Sequence, residues 1–406
     1  MIATSGGLDV LILAQYYRPE PIGSAPYCAD LAEWLAADGA RVDVLTNRPY
    51  YPDTQVLPPY RDGARDREEL GGVSVMRLTP LVPQRGGVVE RLRADLAFFV
   101  RGLAAHWRRR IPRRQFIVSF CPSVFTVLLA RVIAGRHRRH IAVVHDIQSG
   151  LAEGLGFPGA WLFAQALRWL EGFVLNRADA IVVLSAEMGR QIERLGVERP
   201  IVVLPIWVDP QAVHPLPDDP ARPPTLLYSG NLGRKQGLPI VLDLAERVAR
   251  RRSDVRVLVR GAGYQADALI AEARARNLRN VAFAPLVGKD KLSEGLAEGD
   301  VHLVPQDPNA ADFALPSKVY SIMAAARPMV ATARPGSSLW RLAEETAAVV
   351  CVAPDDAEAF AAAALDLLGD RERCRKLGLA GRRYAEQVAA RDVVLARYRG
   401  LIFGDR

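Results

Sequence analysis

Short runs of valine, isoleucine and leucine without polar alternation recur along the chain, each followed by a longer amphipathic stretch. Continuous apolar runs are what strands buried on both faces require, and a parallel sheet wrapped by helices buries them so. In the first half the pattern predicts strands at 8–14, 41–46, 73–78, 115–119, 140–144, 179–184 and 201–204, with a helix over 25–38 that Gly39 stops. Residues 205–224, PIWVDPQAVHPLPDDPARPP, hold seven prolines and no periodicity, which predicts a linker. The alternation then restarts, with strands at 225–229, 255–260, 280–284, 300–304, 328–331 and 347–352. Helices are expected at 237–252, 264–276, 289–297, 316–325, 355–368 and 380–402. Two βαβ arrays joined by a proline-rich segment predict an α/β protein of two doubly wound domains facing each other.

A length of 406 residues agrees with two domains, because single cores rarely grow that large. Half the residues are hydrophobic and 24% are charged, which excludes general disorder and fibrous classes. The four cysteines are scattered without Cys-x-x-Cys spacing, so neither a zinc site nor a disulfide framework is expected, and a reducing cytoplasm fits. The N-terminal MIATSGGLDVLILA has no basic start and reads as a first strand, not a signal peptide. The 16 charge-free residues between Arg114 and Arg131 fall short of a membrane span, and Pro122 splits them.

In open parallel sheets ligands bind beyond the carboxyl ends of the strands, so the loops there carry the candidate chemistry. Gly23 and Ser24 stand where the first helix begins, a seat for phosphate or an ordinary helix cap. His145 and Asp146 follow the strand at 140–144, where they would orient sugar hydroxyls or accept a proton, or else begin a capped helix. The segment Gly230-Asn231-Leu232-Gly233-Arg234-Lys235-Gln236-Gly237 joins a strand to a helix. Its glycines would let backbone approach a diphosphate and its cations neutralise one; a solvated turn is the plainer alternative. The Gly261-Ala262-Gly263 turn is weaker, being neither a dinucleotide fingerprint nor a P-loop. Pro316-Ser317-Lys318 starts a later helix. Lys318 is one of only five lysines among 53 basic residues, and a cation at a helix N-terminus is disfavoured unless an anion also binds. A surface lysine in water is the other reading.

Taken together these segments resemble the retaining, nucleotide-sugar-dependent glycosyltransferases of the GT-B fold. YYRPEPIGSAPYCADLAEWLAADGARVDVLT is similar to that family's N-terminal phosphate loop and following helix. YSGNLGRKQGL, NVAFAPLVGKDKLSEGLAEGDVHLVPQ and PSKVYSIMAAARPMVAT are similar to three successive blocks of its donor-binding domain. GNLGRKQGL and LPSK most resemble the colanic-acid and O-antigen subgroup. The resemblance implies two Rossmann-like domains across a cleft: an acceptor-side domain at 1–204, the linker 205–224 and a donor-binding domain at 225–383. It also implies a terminal helix at 384–406 that returns to the first domain.

Its implied reaction moves a sugar from a nucleoside diphosphate sugar to a hydroxyl of a lipid-linked glycan acceptor, with retention. By resemblance His145 touches the donor sugar, Asp146 stands near the acceptor, and Lys318 with Arg234 or Lys235 takes the diphosphate. The resemblance is incomplete. The family's paired glutamates are replaced by Phe313 and Ser321, its glycine in the last block by Ala326, and its phosphate Arg and Lys fall on Asn231 and Gln236. No Asp-x-Asp motif stands beside these loops, so no metal or other cofactor is expected. Two other readings share the fold: a sugar-nucleotide 2-epimerase, and a catalytically silent nucleotide-sugar-binding partner of a membrane complex.

Charge changes the picture in one place. Formal net charge is +8, and residues 85–114 alone carry nine arginines against Glu90 and Asp95. Leu92, Leu96, Phe99, Val100, Leu103 and Trp107 recur there at helical spacing. Basic amphipathic helices with aromatics lie on anionic membranes, whereas an ordinary helix would turn that stripe to the core. No nucleic-acid recognition motif accompanies the charge. The expectation is a cytoplasmic protein held peripherally on the inner leaflet.

Overall fold

The computed structural model describes residues 8–51, 54–84, 88–121, 123–147, 160–233, 236–307 and 315–404. The chain divides into two compact units, 1–204 with 395–406, and 205–394.

The first unit is built on an eight-stranded sheet. Its strands are β1 Asp9–Leu13, β2 Arg41–Asn47, β3 Arg67–Leu70, β4 Val73–Leu78, β5 Phe116–Cys121, β6 Arg139–Val144, β7 Ala180–Val183 and β8 Ile201–Val203, in the order β3-β4-β2-β1-β5-β6-β7-β8. All pairings are parallel except β3 with β4 at the edge. The sequence pattern passes over β3 because REEL has no apolar run, which an edge strand does not need. Its helices are α1 Ala25–Ala37, α2 Val88–Trp107, α3 Val124–Ala134, α4 Ala160–Leu175 and α5 Ala186–Arg194. Right-handed crossovers put α2, α3 and α4 on one face of the sheet, where α3 packs against both α2 and α4. Leu11, Leu13, Leu45 and Ile117 of the strands meet Phe98 of α2 and Leu129 of α3 in this core. A Cβ on Gly102 would lie 2.3 Å from Leu129, so the glycine sets how closely α2 and α3 approach.

The second unit holds a six-stranded parallel sheet: β9 Thr225–Asn231, β10 Arg256–Ala262, β11 Val281–Ala284, β12 Val301–Val304, β13 Met329–Thr332 and β14 Val349–Val352, in the order β11-β10-β9-β12-β13-β14. The helices that follow are α6 Pro239–Arg251, α7 Ala266–Ala275, α8 Leu292–Ala297, α9 Lys318–Ala324, α10 Ser338–Thr346, α11 Ala357–Gly369, α12 Arg371–Gln387 and α13 Arg391–Phe403.

Three expectations need correction. The proline-rich 205–224 is no free linker. Ile206, Trp207 and Val208 are buried, Arg327 is ion-paired with Asp218 and Arg222 with Asp300, and the segment belongs to the second unit. The single helix expected over 380–402 is broken, because Val208 N donates to Ala389 O and Arg391 N donates to Val208 O. The proline-rich arm thus takes the backbone groups that a continuous helix would use. Helix α10 was not foreseen; it is short and mostly polar, and Ser337 caps it by accepting from Trp340 N.

The last helix starts in the second unit and runs on in the first, where the Phe403 ring meets Phe116 edge-on at 5.0 Å. Among the described residues no helix is long and apolar enough to cross a membrane.

Candidate active site

In each sheet the order of connection reverses once, between β1 and β5 and between β9 and β12, and the loops that part there leave a crevice. The candidate residues lie at the ends of those strands and of the neighbouring β6 and β10.

In the second unit the loops after β9 and β12 are locked together. Gly237 has φ +59°, and a Cβ on it would lie 2.7 Å from the Gln306 carbonyl. Lys318, the first residue of α9, reaches back over the end of β9. Its Nζ stands 3.9 Å from the ring centroid of Tyr228. Both Cε and Nζ lie 3.1 Å from where a Cβ on Gly230 would be, so the glycine makes room for the ammonium. Lys318 as a residue is half-buried, but its Nζ is shut off from water and has no hydrogen-bond partner among the described residues. Burial pushes its pKa down to about 7. A cation held only by a ring face is costly to bury, and a bound anion relieves that cost.

The other residues of this group take different places. Tyr228 Oη donates to Asn231 O at 2.6 Å, while the Asn231 side chain is exposed. Ser317 precedes α9, exposed and without a side-chain capping bond. Gln236 is half-buried and its N–H donates to Gly233 O. Arg234 and Lys235 lie outside the described residues. The missing Cβ of Gly261 is accounted for by packing, since one placed there would lie 2.2 Å from Gly230 O.

In the first unit Gly23 turns the chain into α1 with φ +53° and nothing crowding it, so conformation and not space requires glycine. Ser24 is buried at the N-cap position, but its hydroxyl makes no capping bond, which removes the ordinary-cap explanation for that side chain. His145 follows β6 directly. Its ring sits between Tyr27 of α1 and Phe120 of β5, at centroid distances of 6.1 and 5.6 Å. Nε2 is buried without a hydrogen-bond partner among the described residues, and burial pushes the imidazole pKa down to about 4. At neutral pH the ring is therefore uncharged and suited to a hydroxyl, not to a phosphate. Asp146 lines a small cavity together with Cys121, Ile147 and Glu171.

Four contributors went unnoticed in the sequence. Tyr228 gave one signal, a phenol two residues before a glycine after a short apolar run. Tyr27, Phe120 and the buried Glu171 gave none, because only the fold brings them to His145 and Asp146. Among the described residues no group of three or more His, Cys, Asp or Glu could hold a metal ion.

A sheet pair of this kind, with glycines and a buried lysine at one switch point and a histidine near the other, defines a protein of two doubly wound, ligand-binding units. Residues 23–207 match the family model for the glycosyl transferase 4-like domain, and residues 223–370 that for glycosyl transferases group 1. The chain is 31% identical over 411 residues to the colanic acid biosynthesis glycosyl transferase WcaI of Escherichia coli K12, covering 96% of this chain and 98% of that protein. It belongs to the GT-B glycosyltransferases. Among solved structures, sucrose-phosphate synthase from Thermosynechococcus elongatus superposes with a TM-score of 0.76 at 18% identity, over 97% of this chain and 98% of that one. Anabaena HepE in complex with UDP-glucose gives a TM-score of 0.68 at 14% identity, over 97% and 98%.

Proposed function

We propose that this glycosyltransferase moves a sugar from a nucleoside diphosphate sugar to a hydroxyl of a lipid-linked glycan acceptor, with retention at the anomeric carbon. Its setting would be the building of a bacterial exopolysaccharide, capsule or O-antigen. The observation that carries the reading is the buried Lys318 ammonium over Tyr228 and Gly230, with no hydrogen-bond partner among the described residues. The departing diphosphate gains charge in the transition state, and a desolvated, fixed cation stabilises such charge far better than one in water. In this reading Gly230, Asn231, Gln236 and Ser317, with Arg234 and Lys235, complete the diphosphate side. Gly23 and Ser24 offer free backbone N–H groups, the uncharged His145 holds a hydroxyl of the sugar, and Asp146 stands by the acceptor. Stabilisation by side chains requires no metal.

Two relatives lend support: WcaI is described by colanic acid biosynthesis, and HepE binds UDP-glucose. The cytoplasmic face of the inner membrane is the proposed place of work, with the arginine-rich 85–114 against anionic lipid.

The test screens UDP- and GDP-sugars by thermal shift, since a bound ligand raises stability by mass action, and then assays the best donor with and without acceptor. Product formation only with acceptor, with the anomeric configuration kept, is the expected result. Turnover without acceptor would mean an epimerase. Binding without any turnover would mean a silent partner.

A further inference from the structure

Helix α4 turns to solvent the side chains that a surface helix ordinarily hides. Trp161 and Trp169 are each 67% exposed, Leu162 and Phe173 are also exposed, and positions 161, 165, 169 and 173 fall on one face. Its one acid, Glu171, is buried instead. Helix α2 behaves likewise. Phe98 goes to the core while Leu96, Val100 and Trp107 remain exposed, Trp107 by 73%, and Asp95 is buried. Between them α3 leaves Val132 exposed, so the outer surface of this three-helix layer is apolar over neighbouring helices. Scattered surface apolar residues are ordinary; stripes on neighbouring helices with three exposed tryptophans are not.

Charge gathers at one end of that surface, and there it is positive. At the end of α2 a cleft of about 450 Å³ is lined by His106, Trp107, Arg109, Arg113 and Arg138, over Ile111, Pro112 and Ile133, and no carboxylate lines it. At the same end of the layer Arg177 closes α4, its guanidinium 3.3 Å from the centroid of the Phe173 ring. A second copy of this chain set against this face would oppose arginines to arginines, which disfavours self-association there. An anionic bilayer instead meets both features, with aromatics at the headgroup boundary and arginines on phosphates.

We propose that the outer face of α2, α3 and α4 is a docking surface for an anionic lipid bilayer. The aromatic stripe of α4 enters the headgroup–acyl boundary, and the arginine cleft at the end of α2 takes a lipid phosphate. The inference rests on the membrane-facing reading of 85–114 and adds to it an inserting helix and a headgroup site.

The experiment uses the full chain and vesicles of phosphatidylcholine with or without phosphatidylglycerol, some carrying brominated acyl chains that quench tryptophan on contact. The intact protein is expected to bind the anionic vesicles and to be quenched. Trp161→Phe with Trp169→Phe keeps the apolar surface, so binding should persist while the greater part of the quenching disappears. Trp161→Ser, Trp169→Ser and Phe173→Ser together should weaken binding about tenfold or more, as expected when buried apolar area is lost, with an unchanged circular dichroism spectrum. Arg109→Gln with Arg113→Gln should remove the preference for anionic lipid. If the arginine pair behaves so but the triple serine variant binds like the intact protein, the role of α4 is overturned and the basic segment stands. If no form binds vesicles, both fall. A dimer in sedimentation that the serine variant splits would give this face to a second copy and overturn the proposal.

Discussion

The ammonium of Lys318 stands 3.9 Å from the centroid of the Tyr228 ring and has no hydrogen-bond partner among the described residues. Nothing in sequence order joins them: one lies in the middle of a strand, the other begins a helix ninety positions on. Lys318→Ala should cost roughly 2–4 kcal/mol of transition-state stabilisation, in the range for loss of one oxyanion donor, while the fold survives. Steady-state kinetics with the preferred donor measure this, and intact kinetics would take Lys318 out of the site.

The same burial sets a stability effect of opposite direction. Between pH about 7 and its ordinary value of 10.5, Lys318 binds fewer protons folded than unfolded, so its contribution to stability rises with pH across that window. Below pH 7 the full cost of burying the charge is present. Lys318→Met should therefore raise the melting temperature of the ligand-free protein by roughly 2–8 °C, for about 1–2 kcal/mol, and more at pH 6 than at pH 9. Calorimetry at the two pH values checks it; a lower melting temperature at pH 6 contradicts it.

A diphosphate beside that ammonium favours its charged form, so nucleotide binding at pH 8 should take up a proton. Titration calorimetry in two buffers of different ionisation enthalpy reads this directly. In Lys318→Ala the uptake should vanish together with most of the affinity. Equal heats in both buffers for the intact protein would mean that the lysine is already charged before the nucleotide arrives.

His145 is held neutral by burial, its pKa near 4. The acid limb of kcat/KM should then show no step near pH 6.5, and His145→Ala should lower kcat by about 10–100-fold, as for the loss of one buried hydrogen bond, without shifting that limb. A step near 6.5 that disappears in the variant would show a charged imidazole at work.

Activity should survive EDTA, since side-chain cations take the place that a metal holds beside diphosphates elsewhere. Loss on chelation with recovery on magnesium or manganese would contradict this.

Gly261→Ala separates packing from binding. Its Cβ would press within 2.2 Å of the Gly230 carbonyl, so β9 and β10 must part. The expected result is a loss of roughly 2–3 kcal/mol of stability, in the range for overpacking, seen as a lower melting temperature without ligand. An unchanged melting temperature with weakened nucleotide binding would make it a ligand contact instead.

Much of this protein is legible along the chain because the inner strands of both sheets are parallel and buried on both faces. That burial writes strands such as β1 and β7 as continuous apolar runs, and it marks the loops at the strand ends as the place for chemistry. Gly23, Gly230, His145 and Lys318 could be picked out there as glycines and rare polar residues at strand and helix ends. Tertiary structure alone decided what surrounds them. The slot of Tyr27 and Phe120 around His145, and Tyr228 beneath Lys318, join residues distant in sequence, and the pKa values follow from the burial so created. The break before α13 and the fixing of the proline-rich arm likewise depend on which backbone groups meet across the fold, from Val208 to Ala389 and Arg391. A periodicity records which residues share a face. It cannot record whether that face meets a core or water, and it is the packing of α4 that leaves Trp161 and Trp169 outside.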